Sequence, residues 1–243
     1  MSKIKELRDM TGAGMMECKK ALEECGQDID KSIAYLRERG AISLKKRANN
    51  ATNQGNFGIY EDADTLCIIE LLSETDFVSN SEVFKNAADK LAHHLSNGYE
   101  EGKTLQEVAP QNVLDSLMNM KENMVLSRVA ILKKDGGSLY HYIHNAGQNR
   151  IIAAVKLSQS HDQGRSIAVH VACSAPSPVS IKAQDVPQEA IDEEVKFGGV
   201  DESKARKLLS ILDAPYLLDP SKSVGEILGN TQILEFIRFK VGG

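Results

Sequence analysis

Apolar positions change their period along this chain, and each change marks a different kind of element. Over the first forty residues they recur at helical spacing in three short runs. Ile4 and Leu7 share one face of the first run, which the glycine turn Thr11-Gly12-Ala13-Gly14 interrupts. The second runs from Met15 to about Glu24 and stops at Gly26, a glycine placed just past a helix end. Asp28 or Asp30 caps the third, where Ile33, Leu36 and Arg37 keep helical spacing as far as Gly40. Residues 41 to 55 lose the pattern. They carry the basic triplet Lys45-Lys46-Arg47 and then polar residues, and read as a solvated tether.

From Phe57 the period shortens to that of strands. Phe57–Tyr60, the turn Asp62-Ala63-Asp64 and Thr65–Leu72 predict a hairpin, with Leu66-Cys67-Ile68-Ile69 as a buried strand. Ser79 and Glu82 have capping-box spacing at the start of a helix whose stripe is Phe84, Ala87, Ala88, Leu91, Ala92 and Leu95, closed by Gly98. Thr104 and Glu107 suggest another cap. A helix over about Gln111–Asn123 carries Leu114, Leu117 and Met118, and Val125–Lys134 reads as a strand. Hairpin-then-helix then recurs: strands over Ser138–Ile143 and Arg150–Leu157 flank a turn at Asn145–Asn149, and a helix follows near Ser166–Ser174. Ala175-Pro176-Ser177-Pro178 stops that helix. Helical patterns cover Pro187–Lys196 and Asp201–Leu212, and Ala214–Lys222 is extended. Ser223 and Glu226 cap a last short helix. Ile237, Phe239 and Val241 alternate with Arg238 and Lys240, a half-buried strand suited to complete the second sheet. The predicted fold is α+β: a three-helix domain and linker over 1–54, then two similar subdomains of antiparallel sheet packed with helices, over 55–137 and 138–243, the second with a short helical insertion near 187–220.

Composition narrows the function without naming it. The 243 residues are 42% apolar and 26% charged, an ordinary globular balance. With a net charge of −5, the chain is poorly suited to general phosphate-backbone binding. No apolar run approaches the ~18 residues of a membrane span, and no signal-peptide core is visible near the start. The initial Met stands so close to the first patterned helix that no transit peptide is expected. Cys18, Cys25, Cys67 and Cys173 fit neither a zinc site nor a disulfide framework, and read as reduced thiols of a cytoplasmic protein. Cys18 and Cys25 are placed to share a helix face.

No enzyme constellation holds up: the chain lacks a GxxxxGK[ST] loop, HExxH and GxSxG. His141 and His144 fall on opposite faces of a strand, and His93 and His94 diverge on a helix. His170, among Ile167, Ala168, Val171 and Ala172, reads as a half-buried histidine of the second helix. The sharpest feature is Thr75-Asp76-Phe77-Val78, in a tight connection between strand and helix. Such connections lie at the surface and often carry function. Phe77 either plugs its own core or enters a partner, and Asp76 either begins a cap or adds negative charge to the tip. Met15-Met16 after the glycine turn either fill the core or form an adaptable docking surface, with Arg8 and Lys19 as flanking charge or solvated face.

Two of these stretches carry a resemblance. Leu7–Leu22, with Arg8-Asp9-Met10-Thr11-Gly12 and Met15-Met16-Glu17-Cys18-Lys19-Lys20, is similar to the first signature of bacterial elongation factor Ts, and Glu70–Asn80 to the second. The similarity runs on to the closing Ile237-Arg238-Phe239-Lys240-Val241-Gly242. The resemblance implies a ubiquitin-associated-like N-terminal bundle and a guanine nucleotide exchange factor for the translation GTPase elongation factor Tu. Such a factor acts on its partner's GDP and magnesium, with no cofactor, bound nucleotide, membrane or direct nucleic-acid contact of its own. It implies partner contacts at Arg8, Met15, Met16, Lys19, Thr75, Asp76, Phe77, Val78, His170, Leu217 and Leu218. Three departures stand out. Ile152 replaces a frequent glycine of the family, the insertion near 187–220 is short, which bears on dimerisation through it, and no C-terminal helix follows Gly243. Two rival readings remain. A ubiquitin-associated-like adaptor would bind a small folded protein through residues 1–40 with Phe77 silent. An RNA binder would use Lys45–Arg47.

Overall fold

The computed structural model describes residues 2–146 and 149–243, so Gly147 and Gln148 of the turn expected at Asn145–Asn149 lie outside the described residues. Two compact units divide the chain, the first running to Ile131 and including Gly242, the second covering Leu132–Val241 with Gly243.

The first unit begins with α1 (Lys3–Thr11), α2 (Met15–Glu24) and α3 (Ile29–Arg47). It continues with β1 (Gln54–Glu61), β2 (Thr65–Ser73), α4 (Asp76–Asn80), α5 (Glu82–Leu95), α6 (Leu105–Val108) and α7 (Gln111–Met118), and leads into β3 (Met124–Lys133). Leu7, Ala13, Cys18, Ala21 and Leu22 form the bundle core, with Ile33 and Leu36 packed on it. Gly12 ends α1 in the left-handed region, at φ 68°. Asp28 caps α3 by accepting the Lys31 N–H. Helix α3 does not stop at Gly40. It runs on to Arg47, so residues 41–47 are not a tether. A glycine inside a helix costs about 1 kcal/mol against alanine, and its reason here is packing. A Cβ at Gly40 would stand 2.9 Å from the Met118 sulfur of α7. The basic triplet occupies the last turn of α3, where cations favour the helix dipole.

The first sheet has the order β1-β2-β3, with β1 antiparallel to β2 and Gly58 opposite Ile69. Every residue of β2 is buried, the apolar run Leu66-Cys67-Ile68-Ile69 and the Glu70 that follows it alike. Helix α5 lays Phe84, Ala87, Ala88, Leu91, Ala92 and Leu95 over Cys67, Ile69 and Leu71. Glu70, buried within β2, accepts bonds from Nε and Nη2 of Arg128 at 2.8 and 3.0 Å. Two boundaries differ from expectation. Ser81, not Ser79, caps α5, its hydroxyl accepting the Phe84 N–H at 3.2 Å. The chain first makes the extra helical turn α4, and Ser79 is buried inside it. Helix α7 ends at Met118 rather than Asn123, because Lys121 adopts φ 57°, which no right-handed helix can include.

The second unit contains β4 (Ser138–Ala146), β5 (Asn149–Leu157), α8 (Gly164–Cys173), α9 (Gln188–Gly198) and α10 (Glu202–Leu208). They are followed by β6 (Pro215–Tyr216), β7 (Asp219–Ser223), α11 (Val224–Leu228) and β8 (Ile233–Lys240). Its sheet has the order β4-β5-β8, so the terminal strand does close it. Ile167, Ala168 and Val171 of α8 pack on Ala153, Val155 and Leu157 of β5. The α+β class and the two sheet-and-helix layers match the sequence pattern. Ile152 is fully buried in β5, between Ile143 and Phe239. Helix α10 stops at Leu208, short of Leu212, because the Ile211 and Leu212 amides donate to Ser180 and Ile181. Helices α9 and α10 keep a small core of their own, Val186, Ile191, Ala205 and Leu209.

Candidate functional site

The connection after β2 owes its shape to polar side chains. Thr75 is the N-cap of α4, its Oγ1 accepting the Val78 N–H at 3.4 Å. The Thr75 amide and hydroxyl both donate to the carboxylate of Glu122, at 3.0 and 2.5 Å. Glu74 next to it accepts the Asn123 N–H at 2.6 Å and the Asn50 amide at 2.9 Å. The Asn123 amide bond, helped by Asn50 and the Arg47 charge, holds the Glu74 carboxyl below its usual value. With both ends of the turn fixed, Asp76 is half-buried, Val78 packs on the α5 core, and the Phe77 ring projects outward at 85% exposure. Phe77 therefore does not plug its own core. The ring adds little to the packing of its own unit.

In the bundle, Met15 and Met16 begin α2 right after the glycine turn and are 60% and 72% exposed. Both side chains lie outside the bundle core. Arg8 and Lys19 are exposed as well, with Lys19 3.9 Å from Glu23. Met16 and Lys19 also border a cleft of about 740 Å³ floored by Leu36 and Met118.

In the second unit, Leu217 and Leu218 form the exposed tip of the β6–β7 hairpin, at 44% and 64% exposure. His170 is not at the surface. It is 2% exposed, and its Nδ1 accepts the Leu217 N–H at 3.2 Å. Nε2 therefore carries the proton, and it has no partner among the described residues. Burial pushes the imidazolium down to about 4. Between pH 6.5 and about 4 an unfolded chain takes up a proton that folded His170 refuses, so stability declines as pH falls through that window. His170→Asn, which keeps an acceptor near Nδ1 without a titrating group, should flatten that decline in acid melting curves. His170→Leu should flatten it too, but should also leave the Leu217 amide unpaired and increase its hydrogen exchange.

Glu122 and Asn123 carry no sequence signal of their own, because the apparent helical spacing extends to Asn123, and Glu74 lies in the Glu70–Asn80 stretch without being singled out. The four cysteines are free thiols, and Cys25 lies just beyond α2. Among the described residues no His, Cys, Asp and Glu group has the arrangement of a metal site, and no helix is long and apolar enough to cross a membrane.

The braced Thr75-Asp76-Phe77-Val78 turn falls at the start of a region, residues 74–208, that matches the family model described as Elongation factor TS. Full-length relatives agree. A protein named Elongation factor Ts from Nitratidesulfovibrio vulgaris (strain DP4) is 31% identical over 276 residues, covering 99% of this chain and 95% of its own. One from Deinococcus deserti is 30% identical, covering 100% and 99%. One from Chlorobaculum parvum is 38% identical over 79% of this chain and 71% of its own. Identity of this extent spans the bundle, both sheets and helices α9 and α10, and the chain belongs to the elongation factor Ts family, proteins of translation elongation.

Proposed function

We propose that the chain is a guanine nucleotide exchange factor for the GTPase elongation factor Tu, working in the cytoplasm without making or breaking a bond. The observation that carries this reading is the exposed Phe77 on a turn fixed by Thr75 and Glu122. Phe77 enters the GTPase domain and Asp76 brings negative charge toward its magnesium side, while Thr75 and Val78 hold the turn. Met15, Met16, Arg8 and Lys19 form a second contact from the bundle, and Leu217 and Leu218 a third from the hairpin. His170, with its ring buried, serves the third contact by fixing the Leu217 backbone rather than by touching the partner.

The energetics follow from linkage. A factor that binds the nucleotide-free GTPase more tightly than the GDP form must weaken GDP binding by the same ratio. The chain needs no nucleotide or metal site for this. The test is the release of labelled GDP from elongation factor Tu. Release accelerated by catalytic amounts of the chain is the expected result, and an unchanged rate with a folded chain would overturn the reading.

A further inference from the structure

Residues 119–123, between α7 and β3, have no element of their own, yet bonds from this short segment reach both exposed surfaces of the first unit. Asn119 Nδ2 donates to the Thr11 carbonyl at 2.7 Å, at the end of α1, and to the Asp115 carbonyl at 2.8 Å. Gly12 accommodates it, since a Cβ there would stand 3.1 Å from that nitrogen. The Lys121 ammonium lies 2.7 Å from Glu17, in the first turn of the helix that presents Met15 and Met16. That contact lowers the Glu17 carboxyl. Glu122 takes both donors of Thr75, and the Asn123 side chain donates to the Ala48 and Asn50 carbonyls. Lys121 stands at φ 57°, a conformation L residues seldom adopt.

We infer that this segment is a bracket whose positioning residues, Asn119 and Glu122, set the strength of partner binding by holding the Met15-Met16 surface and Phe77 in one fixed relation. The inference rests on the exchange reading above and adds residues that belong to neither contact surface. Two contacts on a rigid body engage as one event, because the second meets the partner at a high effective concentration. Loosening the link removes that advantage and adds an ordering cost on binding.

The test measures GDP release and affinity for nucleotide-free elongation factor Tu for the wild type, Phe77→Ala, Asn119→Ala/Glu122→Ala, and all three substitutions combined. The bracket pair should bind about tenfold more weakly. In its background, Phe77→Ala should cost several-fold less than it does in the wild type. Partial unfolding would scale every affinity by a common factor and leave the Phe77→Ala ratio unchanged, so the ratio separates positioning from stability. Glu122→Gln, which keeps a carbonyl acceptor for Thr75, should recover part of the loss. Acceleration that is sensitive to Phe77→Ala but equal in wild type and bracket pair overturns the bracket alone. A wild-type chain that leaves GDP release unchanged overturns the exchange reading and the bracket together.

Discussion

Phe77→Ala is expected to slow chain-stimulated GDP release by about 10- to 100-fold while leaving the melting temperature unchanged. The first figure follows from burying one aromatic ring in a partner, worth ~1.5–3 kcal/mol, where each 1.4 kcal/mol is about a factor of ten. The second follows from exposure. A ring 85% open to solvent has little to lose in its own fold, and surface substitutions of this kind shift stability by less than about 0.5 kcal/mol. Parallel assays of release rate and thermal unfolding check both halves. A Phe77→Ala protein that exchanges at the wild-type rate would move the activity to the bundle and the hairpin. One that melts much earlier would mean that the ring packs on its own domain.

Where a residue's role is set by periodicity, the sequence already shows it. The α5 stripe from Phe84 to Leu95 specifies one buried face, and the run Leu66-Cys67-Ile68-Ile69 in β2 specifies a strand buried on both faces. The apolar neighbours of His170 point to a half-buried ring, and the fold buries it further, to 2% exposure. Where tertiary packing overrides a local signal, the sequence misleads. Gly26 and Gly40 look alike as helix ends, yet only the first is one. Gly26 adopts φ 64° past α2, whereas Gly40 lies inside α3, where the lack of a side chain lets Met118 of α7 pack close. Ser79 and Glu82 have the right spacing for a cap, but one more helical turn shifts the cap to Ser81. Met15, Met16 and Phe77 stand out in the sequence as apolar side chains beside turns, but whether they fill the core or face outward is open until the structure exposes them. The polar residues that brace the turn and the bundle do not stand out, since Glu122 and Asn119 fall within the helix expected to run to Asn123 and look like any solvated helix face until the residues they bond are known.

Gly58→Ala is the second substitution expected to have a large effect, through the scaffold rather than the contact. Gly58 sits mid-strand in β1, where glycine is otherwise disfavoured. A Cβ built there would lie 2.2 Å from the Ala88 carbonyl oxygen and 2.4 Å from its carbon. Both obstacles are backbone of α5, so no rotamer change relieves the clash and the helix must lift from the sheet. Overpacking of this kind costs typically 1–3 kcal/mol, and with backbone on both sides the upper end, about 3 kcal/mol, is expected. The denaturant midpoint should fall accordingly. The same helix begins where the Phe77 turn ends, and β1 holds both. The Ile59 N–H donates to Asp89 of α5 at 2.9 Å, and Asn56 Nδ2 donates to the Ser79 carbonyl at 3.1 Å. Lifting α5 therefore drags the turn out of register with Glu122, and GDP release should slow even at temperatures where the variant remains folded. A Gly58→Ala chain of wild-type stability and exchange rate would show that the strand and α5 accommodate the added Cβ without the helix lifting. Loss of exchange with retained folding would place the position of Phe77 under the control of a strand contact whose residues never reach the partner.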